Sequence, residues 1–156
     1  FKQKTASELM PSLVGSEMCI RDSINPSVAQ EIEHYSSAEA LKKDYPFSQA
    51  VRVENILYIS GIVAQGTDGK IIKGGIIEES HFVLKSMGEI LAHFDLGYED
   101  IFKCLVMIDD IGEWPDFNSV YIQYFEKPYP ARSAFGADGL ALEASLELEC
   151  LAYFKD

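Results

Sequence analysis

The stretch SLELECLAYF, residues 145–154, alternates apolar side chains with a mixed set that includes two glutamates. Successive side chains of a strand point to opposite faces of a sheet, so alternate positions share a face. The two faces would hold Leu146, Leu148, Cys150 and Ala152 on one side and Glu147, Glu149, Leu151 and Tyr153 on the other. We therefore predict a closing strand with one buried face and one face that carries two carboxylates.

Segments with strand and helix patterns alternate upstream of this stretch. They are, in order, a hairpin at 48–64, a helix at 74–97, a strand at 100–110, a helix at 114–127 and a strand at 133–137. Glu54 and Asn55 stand at the hairpin turn, and Pro115 stands in the first turn of its helix, where a missing N–H costs little. The order β-β-α-β-α-β-β predicts one α+β domain over residues 36–156, with a mixed β-sheet and two helices packed on one face.

The composition of the chain argues against several function classes. A net charge of -12 disfavours nucleic-acid binding, because phosphate contacts need clustered Lys and Arg. Charges interrupt the apolar runs, so no membrane-spanning segment is predicted. Cys19, Cys104 and Cys150 lack metal-ligand spacing, which predicts neither a zinc site nor a disulfide framework and favours a reducing cytoplasm. We interpret Cys104 and Cys150 as small core residues.

The N-terminal segment is set aside before the fold is considered. The string PSLVGSEMCIRDS, residues 11–23, resembles the conceptual translation of a sequencing adapter. Residues 1–35 are therefore expected to be disordered or artefactual, and Cys19 and Arg21 receive no functional weight.

The segment EKPYPARSAFGADG, residues 126–139, places Arg132 at the mouth of a predicted strand. If that strand pairs antiparallel with the one that carries Glu147, the two side chains come close. An arginine and a glutamate in one cavity can bind an anion and hold a water, which is the start of a hydrolytic site. A solvated face is the alternative, and the residues alone leave both open.

The three histidines, His34, His81 and His93, stand apart from any partner at metal-ligand spacing. We interpret them as helix-surface or structural residues, and no metal site is predicted.

Residues 45–154 resemble the reactive-intermediate deaminase family, also called RidA-like or YjgF-like proteins. The resemblance depends on YPFSQAV, LYISG, DDIGEWPDFNSVYIQYF, YPARS and LELECLA, in the family's order and spacing. It implies a fold similar to chorismate mutase, assembled as a homotrimer with a ligand cleft at each subunit interface. It also implies hydrolysis of 2-imino and enamine acids to 2-keto acids and ammonia, without a metal or organic cofactor.

The resemblance assigns roles to individual residues. Arg132 matches the arginine that binds the substrate carboxylate, and Glu147 matches the glutamate that positions water. The substrate-binding positions it implies are Phe47, Ser60, Gly61, Asn118 and Ala134. This chain departs from the pattern at Phe47, where many members have tyrosine, at Ala134, where cysteine is usual, and at Gly136, where glutamate is usual.

These departures leave alternatives to the deaminase. A non-catalytic trimer of the same family that binds small carboxylates or carbonyl compounds is the first alternative. A ribonuclease is the least favoured, because the chain is acidic and lacks a basic stripe.

Overall fold

The computed structural model describes residues 32–155 of the chain. These residues form six strands and three α-helices. The strands are β1 (Ile32–Tyr35), β2 (Ala50–Val53), β3 (Ile56–Val63), β4 (Ile101–Ile108), β5 (Ala131–Gly136) and β6 (Leu146–Tyr153). The helices are α1 (Ala38–Lys43), α2 (Ile76–His93) and α3 (Trp114–Tyr121).

The seven predicted elements occur in the predicted order from β2 to β6, and the α+β fold with a mixed sheet is confirmed. Sequence analysis missed β1 and α1. Ser37 caps α1 by accepting a hydrogen bond from the Ala40 N–H at 3.2 Å, and β1 pairs antiparallel with β2. The folded part thus includes residues 32–35, which lie before the predicted domain boundary at residue 36. The predictions for residues 1–31 lie outside the described residues.

The six strands form one sheet in the order β1-β2-β3-β6-β4-β5, in which only β4 and β5 run parallel. Helix α3 provides the crossover that a parallel pair requires. Strand β4 therefore lies between β5 and β6. The antiparallel pairing that would have brought Arg132 and Glu147 together does not occur, because the β4-α3-β5 unit places β5 at the sheet edge.

The hydrophobic core lies between the sheet and its helices. Helix α2 buries one face, which includes Val83, Leu84, Met87 and Leu91, and Phe117 is the buried centre of α3. The opposite face of the sheet has no helix from residues 32–155 packed on it, and Tyr58 and Tyr153 are 45% and 44% exposed there. We call it the open face. None of the described helices is long and apolar enough to cross a membrane.

Cys104 on β4 and Cys150 on β6 form a disulfide. The two residues are direct register partners, with Cα atoms 4.1 Å apart, and both are buried. The prediction of core positions is confirmed, but the expectation of no disulfide is wrong. Sheet register brings together residues 46 apart in sequence, which no local cysteine spacing reveals. The cytoplasmic localisation stays a prediction and loses the support of unpaired thiols.

Candidate active site

Helix α3 forms a slot for the side chain of Arg132. The guanidinium carbon lies 4.5 Å from the ring centroid of Tyr121, 4.9 Å from that of Trp114 and 5.5 Å from that of Phe117. Its Nη2 donates to Asn118 Oδ1 at 2.7 Å. Helical spacing explains this arrangement, because residues three and four positions apart share one helix face. The aromatic face of α3 therefore holds the cation while the Asn118 amide fixes its orientation.

Two polar atoms in this slot have no partner among residues 32–155. Arg132 Nη1 and Tyr121 Oη are both buried and make no hydrogen bond there. Burial lowers the pKa of Arg132 below its ordinary value and raises the pKa of Tyr121 to about 12. The phenol is therefore a neutral hydroxyl at neutral pH, able to donate a hydrogen bond.

A cleft of about 460 Å³ opens beside the guanidinium. It is lined by Trp114, Asn118, Tyr121, Ile122, Tyr129, Pro130 and Arg132. Ile122 and Tyr129 form an exposed rim, at 59% and 45% exposure, whereas Tyr121 is only 4% exposed. The cleft thus combines one cation, one unpaired hydroxyl and a largely aromatic wall.

Glu147 lies on the open face of β6, over a distortion in β3. The β3–β6 register shifts between Ile59 and Ile62, so Ser60 and Gly61 stand out of regular pairing. A Cβ at Gly61 would overlap the Glu147 carboxylate, so any other residue there would require that side chain to move. The Ser60 hydroxyl donates to the Ser48 carbonyl at 2.7 Å and braces the bulge.

Burial raises the pKa of the Glu147 carboxyl above its ordinary value, and the charge of Glu149 on the same face adds to the shift. A carboxylate with a raised pKa is a stronger base than an ordinary glutamate. The local chemistry therefore favours acceptance of a proton from a bound water.

The remaining predicted positions divide between these two places. Phe47 precedes Ser48, stacks on Tyr45 with ring centroids 5.3 Å apart and is 52% exposed. Phe47 is therefore next to the residue whose carbonyl accepts from Ser60, on the Glu147 side of the predicted site. Ala134 follows Arg132 by two residues on β5 and pairs with the buried Val106, so it belongs with the Arg132 group.

Arg132 and Glu147 do not meet within one chain. Arg132 is the register partner of the buried Cys104 and contacts α3, so it lies on the helix face. Glu147 alternates with buried Leu146 and Leu148, so it lies on the open face. By ordinary strand spacing and rise, their Cα atoms are roughly 14 Å apart. The structure therefore divides the predicted site into an Arg132 half and a Glu147 half.

Sequence analysis missed Trp114 and Tyr121 as parts of the Arg132 half. The signal was present, because residues 114, 118 and 121 follow the spacing of one helix face. They read as core positions until the position of Arg132 is known. At Gly136 a Cβ would lie 3.2 Å from the Cβ of Ile111, so a larger residue there would require Ile111 to shift slightly.

The histidines have the structural surroundings that were expected. His34 contacts Ser48, His81 lies 2.9 Å from the Tyr124 hydroxyl, and His93 stacks on a tyrosine ring at 4.1 Å. Within residues 32–155 no three acidic, histidine or cysteine side chains are grouped as a metal site would require.

Comparison with known proteins identifies the family. A family model described as Endoribonuclease L-PSP matches residues 37–154. The human protein named 2-iminobutanoate/2-iminopropanoate deaminase is 36% identical over 118 residues, which cover 75% of this chain and 86% of that protein. Reactive Intermediate Deaminase A, chloroplastic, of Arabidopsis thaliana is 34% identical over 108 residues, 69% of this chain and 58% of that protein.

Solved structures share the fold. Yeast Mmf1 has a TM-score of 0.67 at 31% identity and covers 80% of this chain and 94% of its own. YyfA from Yersinia pestis, a protein of the conserved Rid family, has a TM-score of 0.73 at 27% identity and covers 79% and 99%. Because that family model spans most of the chain and the human deaminase is 36% identical over 75% of it, this chain belongs to the RidA-like family, whose family model is described as Endoribonuclease L-PSP.

Proposed function

We propose that this protein is an imine deaminase that hydrolyses reactive 2-imino and enamine acids to 2-keto acids and ammonia. Relatives that carry this activity in their names are 34–36% identical to the chain. The observation that carries the proposal is the pair of half-sites. One half offers a guanidinium with an unpaired nitrogen beside a cleft, and the other offers a basic carboxylate over a glycine.

The site is complete only when two copies of the chain meet. A twofold interface uses the same patch on both subunits, so it cannot easily join groups that lie on opposite faces of the sheet. A head-to-tail contact joins different patches and forms a ring when its rotation closes. The open face, with exposed Tyr58, Phe102 and Tyr153, offers apolar area for such a contact. We therefore infer a head-to-tail assembly in which Arg132 of one protomer faces Glu147 of the next, and the family resemblance implies that this ring is a homotrimer.

The proposed reaction begins with the substrate carboxylate on Arg132. A planar guanidinium forms directed hydrogen bonds to a carboxylate and so fixes C2 of the 2-iminium acid. Glu147 accepts a proton as the water oxygen bonds to C2 and the C=N electron pair moves to nitrogen. The proton then passes from Glu147 to the amine. As the C–N bond breaks, ammonia leaves, Glu147 accepts the hydroxyl proton and the 2-keto acid forms. Glu147 then gives that proton to ammonia, which leaves the site as ammonium, and the carboxylate is regenerated.

The remaining predicted contacts have supporting roles in this proposal. Gly61 leaves room for the Glu147 carboxylate, and Ser60 braces the strand that carries it. Asn118 positions Arg132 through the bond to Nη2. Phe47 and Ala134 supply apolar surface on the two halves. The iminium carbon is already electrophilic, so the proposed mechanism uses neither metal nor organic cofactor.

The test generates 2-iminobutanoate in situ with an amino-acid oxidase and adds semicarbazide to trap the imine. An active deaminase lowers the trapped fraction and raises keto-acid formation in proportion to its concentration. A protein that binds the keto acid but leaves the ratio of trapped imine to keto acid unchanged would instead be the carboxylate-binding trimer. The absence of a tyrosine hydroxyl at position 47 favours that alternative. Ribonuclease activity would be seen with a single-stranded RNA substrate, and the net charge of -12 speaks against it.

A further inference from the structure

The cleft beside Arg132 holds more recognition groups than a carboxylate anchor needs. Tyr121 is 4% exposed, yet its hydroxyl has no hydrogen-bond partner among the described residues. Arg132 Nη1 is also buried and also has no hydrogen-bond partner among the described residues. A buried donor without a partner destabilises the free protein, and such donors in native structures commonly indicate a functional site.

We propose that this cleft selects 2-imino acids with an aromatic or large apolar side chain, whose carboxylate binds between Arg132 Nη1 and the Tyr121 hydroxyl. This inference rests on the proposed function and names its substrate class. It adds Tyr121 as a substrate-binding residue and Trp114 and Tyr129 as residues that determine specificity.

The hydrogen-bond pattern of the slot supports the two-donor arrangement. Asn118 accepts from Arg132 Nη2 and leaves Nη1 for another acceptor. The guanidinium carbon of Arg132 lies 4.5 Å from the centroid of the Tyr121 ring, so the ring that carries the hydroxyl lies against the guanidinium. A carboxylate has two oxygen atoms and can therefore accept from both donors at once. The exposed side chains of Ile122 and Tyr129 border the cleft that leads to these donors.

The size and lining of the cleft support a large side chain. In the single chain this open cleft has a volume of about 460 Å³, which leaves room for a side chain larger than that of a four-carbon acid. Trp114, Tyr129 and Pro130 present ring surfaces. Aromatic side chains gain free energy from stacked or edge-to-face contacts with such rings, beyond the area they bury.

The first experiment measures binding without reaction. Butanoate and 3-phenylpropanoate carry the same charge and differ in the ring, and neither can be deaminated. Trp114 is the single tryptophan of the chain and lines the cleft, so its fluorescence reports ligand entry. We expect 3-phenylpropanoate to bind at least about tenfold more tightly than butanoate. Equal affinities, or no binding of either acid, would overturn the aromatic pocket.

Variants then separate the two parts of the inference. Y121F keeps the ring and removes the hydroxyl, so it should weaken both acids by about tenfold and leave their ratio unchanged. Y129A should weaken binding of the phenyl acid more than binding of butanoate, and so reduce the preference. Y124F is the matched control, because its hydroxyl contacts His81 and Tyr124 is absent from the cleft lining. Unchanged affinities in Y121F, with intact folding, would remove the hydroxyl from the site.

A kinetic comparison distinguishes failure of this inference from failure of the proposed function. The ratio of kcat/KM for 2-imino-3-phenylpropanoate over 2-iminobutanoate should exceed about ten and fall in Y129A. Turnover of 2-iminobutanoate without that preference would sustain the deaminase and overturn the pocket. Preferential phenyl-acid binding without turnover would sustain the pocket and overturn the deaminase.

Discussion

The two halves of the site are built in different ways. The Arg132 half is enclosed within one chain, where α3 supplies aromatic contacts and the Asn118 hydrogen bond. The Glu147 half lies on an open sheet face, where its carboxylate is held over Gly61. The Arg132 half is therefore preorganised by packing within one chain. In the proposed homotrimer, the neighbouring protomer would cover the Glu147 half and exclude water from it.

The largest effect is expected at the enclosed half. Lysine offers a point charge on a flexible stem and cannot reproduce the directed hydrogen bonds of a guanidinium. Loss of a charge-assisted bond costs about 1.5–3 kcal/mol, and misplacement of C2 relative to water adds to that loss. R132K and R132A should therefore both lower kcat/KM by about a hundredfold or more.

R52K provides the control, since Arg52 stacks on Phe154 at 3.9 Å, away from both halves. It should leave turnover of 2-iminobutanoate near that of the wild type. An R132K protein that kept most of its activity, with the melting temperature unchanged in all variants, would contradict the carboxylate anchor and favour the small-carbonyl binder.

The proposed division of the site between subunits can be tested by complementation. R132A and E147Q should each be inactive alone, since every site lacks one half. Unfolding and refolding an equal mixture builds mixed rings in which about one site in four combines an intact Arg132 with an intact Glu147. Activity should then return to about a quarter of the wild-type value. A mixture that stays inactive, although mass analysis shows mixed assemblies, would mean that the site is not shared between neighbours.

Sequence pattern predicted the elements of both halves, but sheet order decided their separation. Residues 145–154 alternate so regularly that the faces of β6 were correct residue by residue. The neighbours of β5 and β6 stayed open, because alternation does not say which strands are adjacent, and the β4-α3-β5 crossover carries β5 to the edge. Trp114 and Tyr121 were missed for a related reason, since a helical aromatic stripe acquires a binding role only from what lies opposite it.

The disulfide connects the strands between the two halves. Cys150 lies on β6 with Glu147, and Cys104 is the register partner of Arg132. Closing a loop of this length should stabilise the fold by about 2–4 kcal/mol. Denaturant unfolding in the presence and absence of a reductant measures this difference. In denaturant without reductant, thiol labelling should leave Cys104 and Cys150 unmodified, and labelling of both residues with coincident unfolding curves would contradict the bridge.

The smallest effect concerns the charge next to Glu147. The ionised carboxylate is the form that accepts a proton from water, so kcat should fall as the pH drops through its pKa. Because burial and Glu149 both raise that pKa, this fall should begin at a higher pH than the ordinary glutamate value of 4.5 would give.

The variant E149Q removes the smaller of the two causes and should move the acidic limb to lower pH by less than about one unit, since Glu149 is exposed and its charge is screened. High salt should move the wild-type limb in the same direction. E78Q is the matched control, because it removes the same charge from an exposed position in the first turn of α2. A limb that shifts equally in E78Q and E149Q would show that net charge sets it, and that the two glutamates on the open face do not interact as a pair.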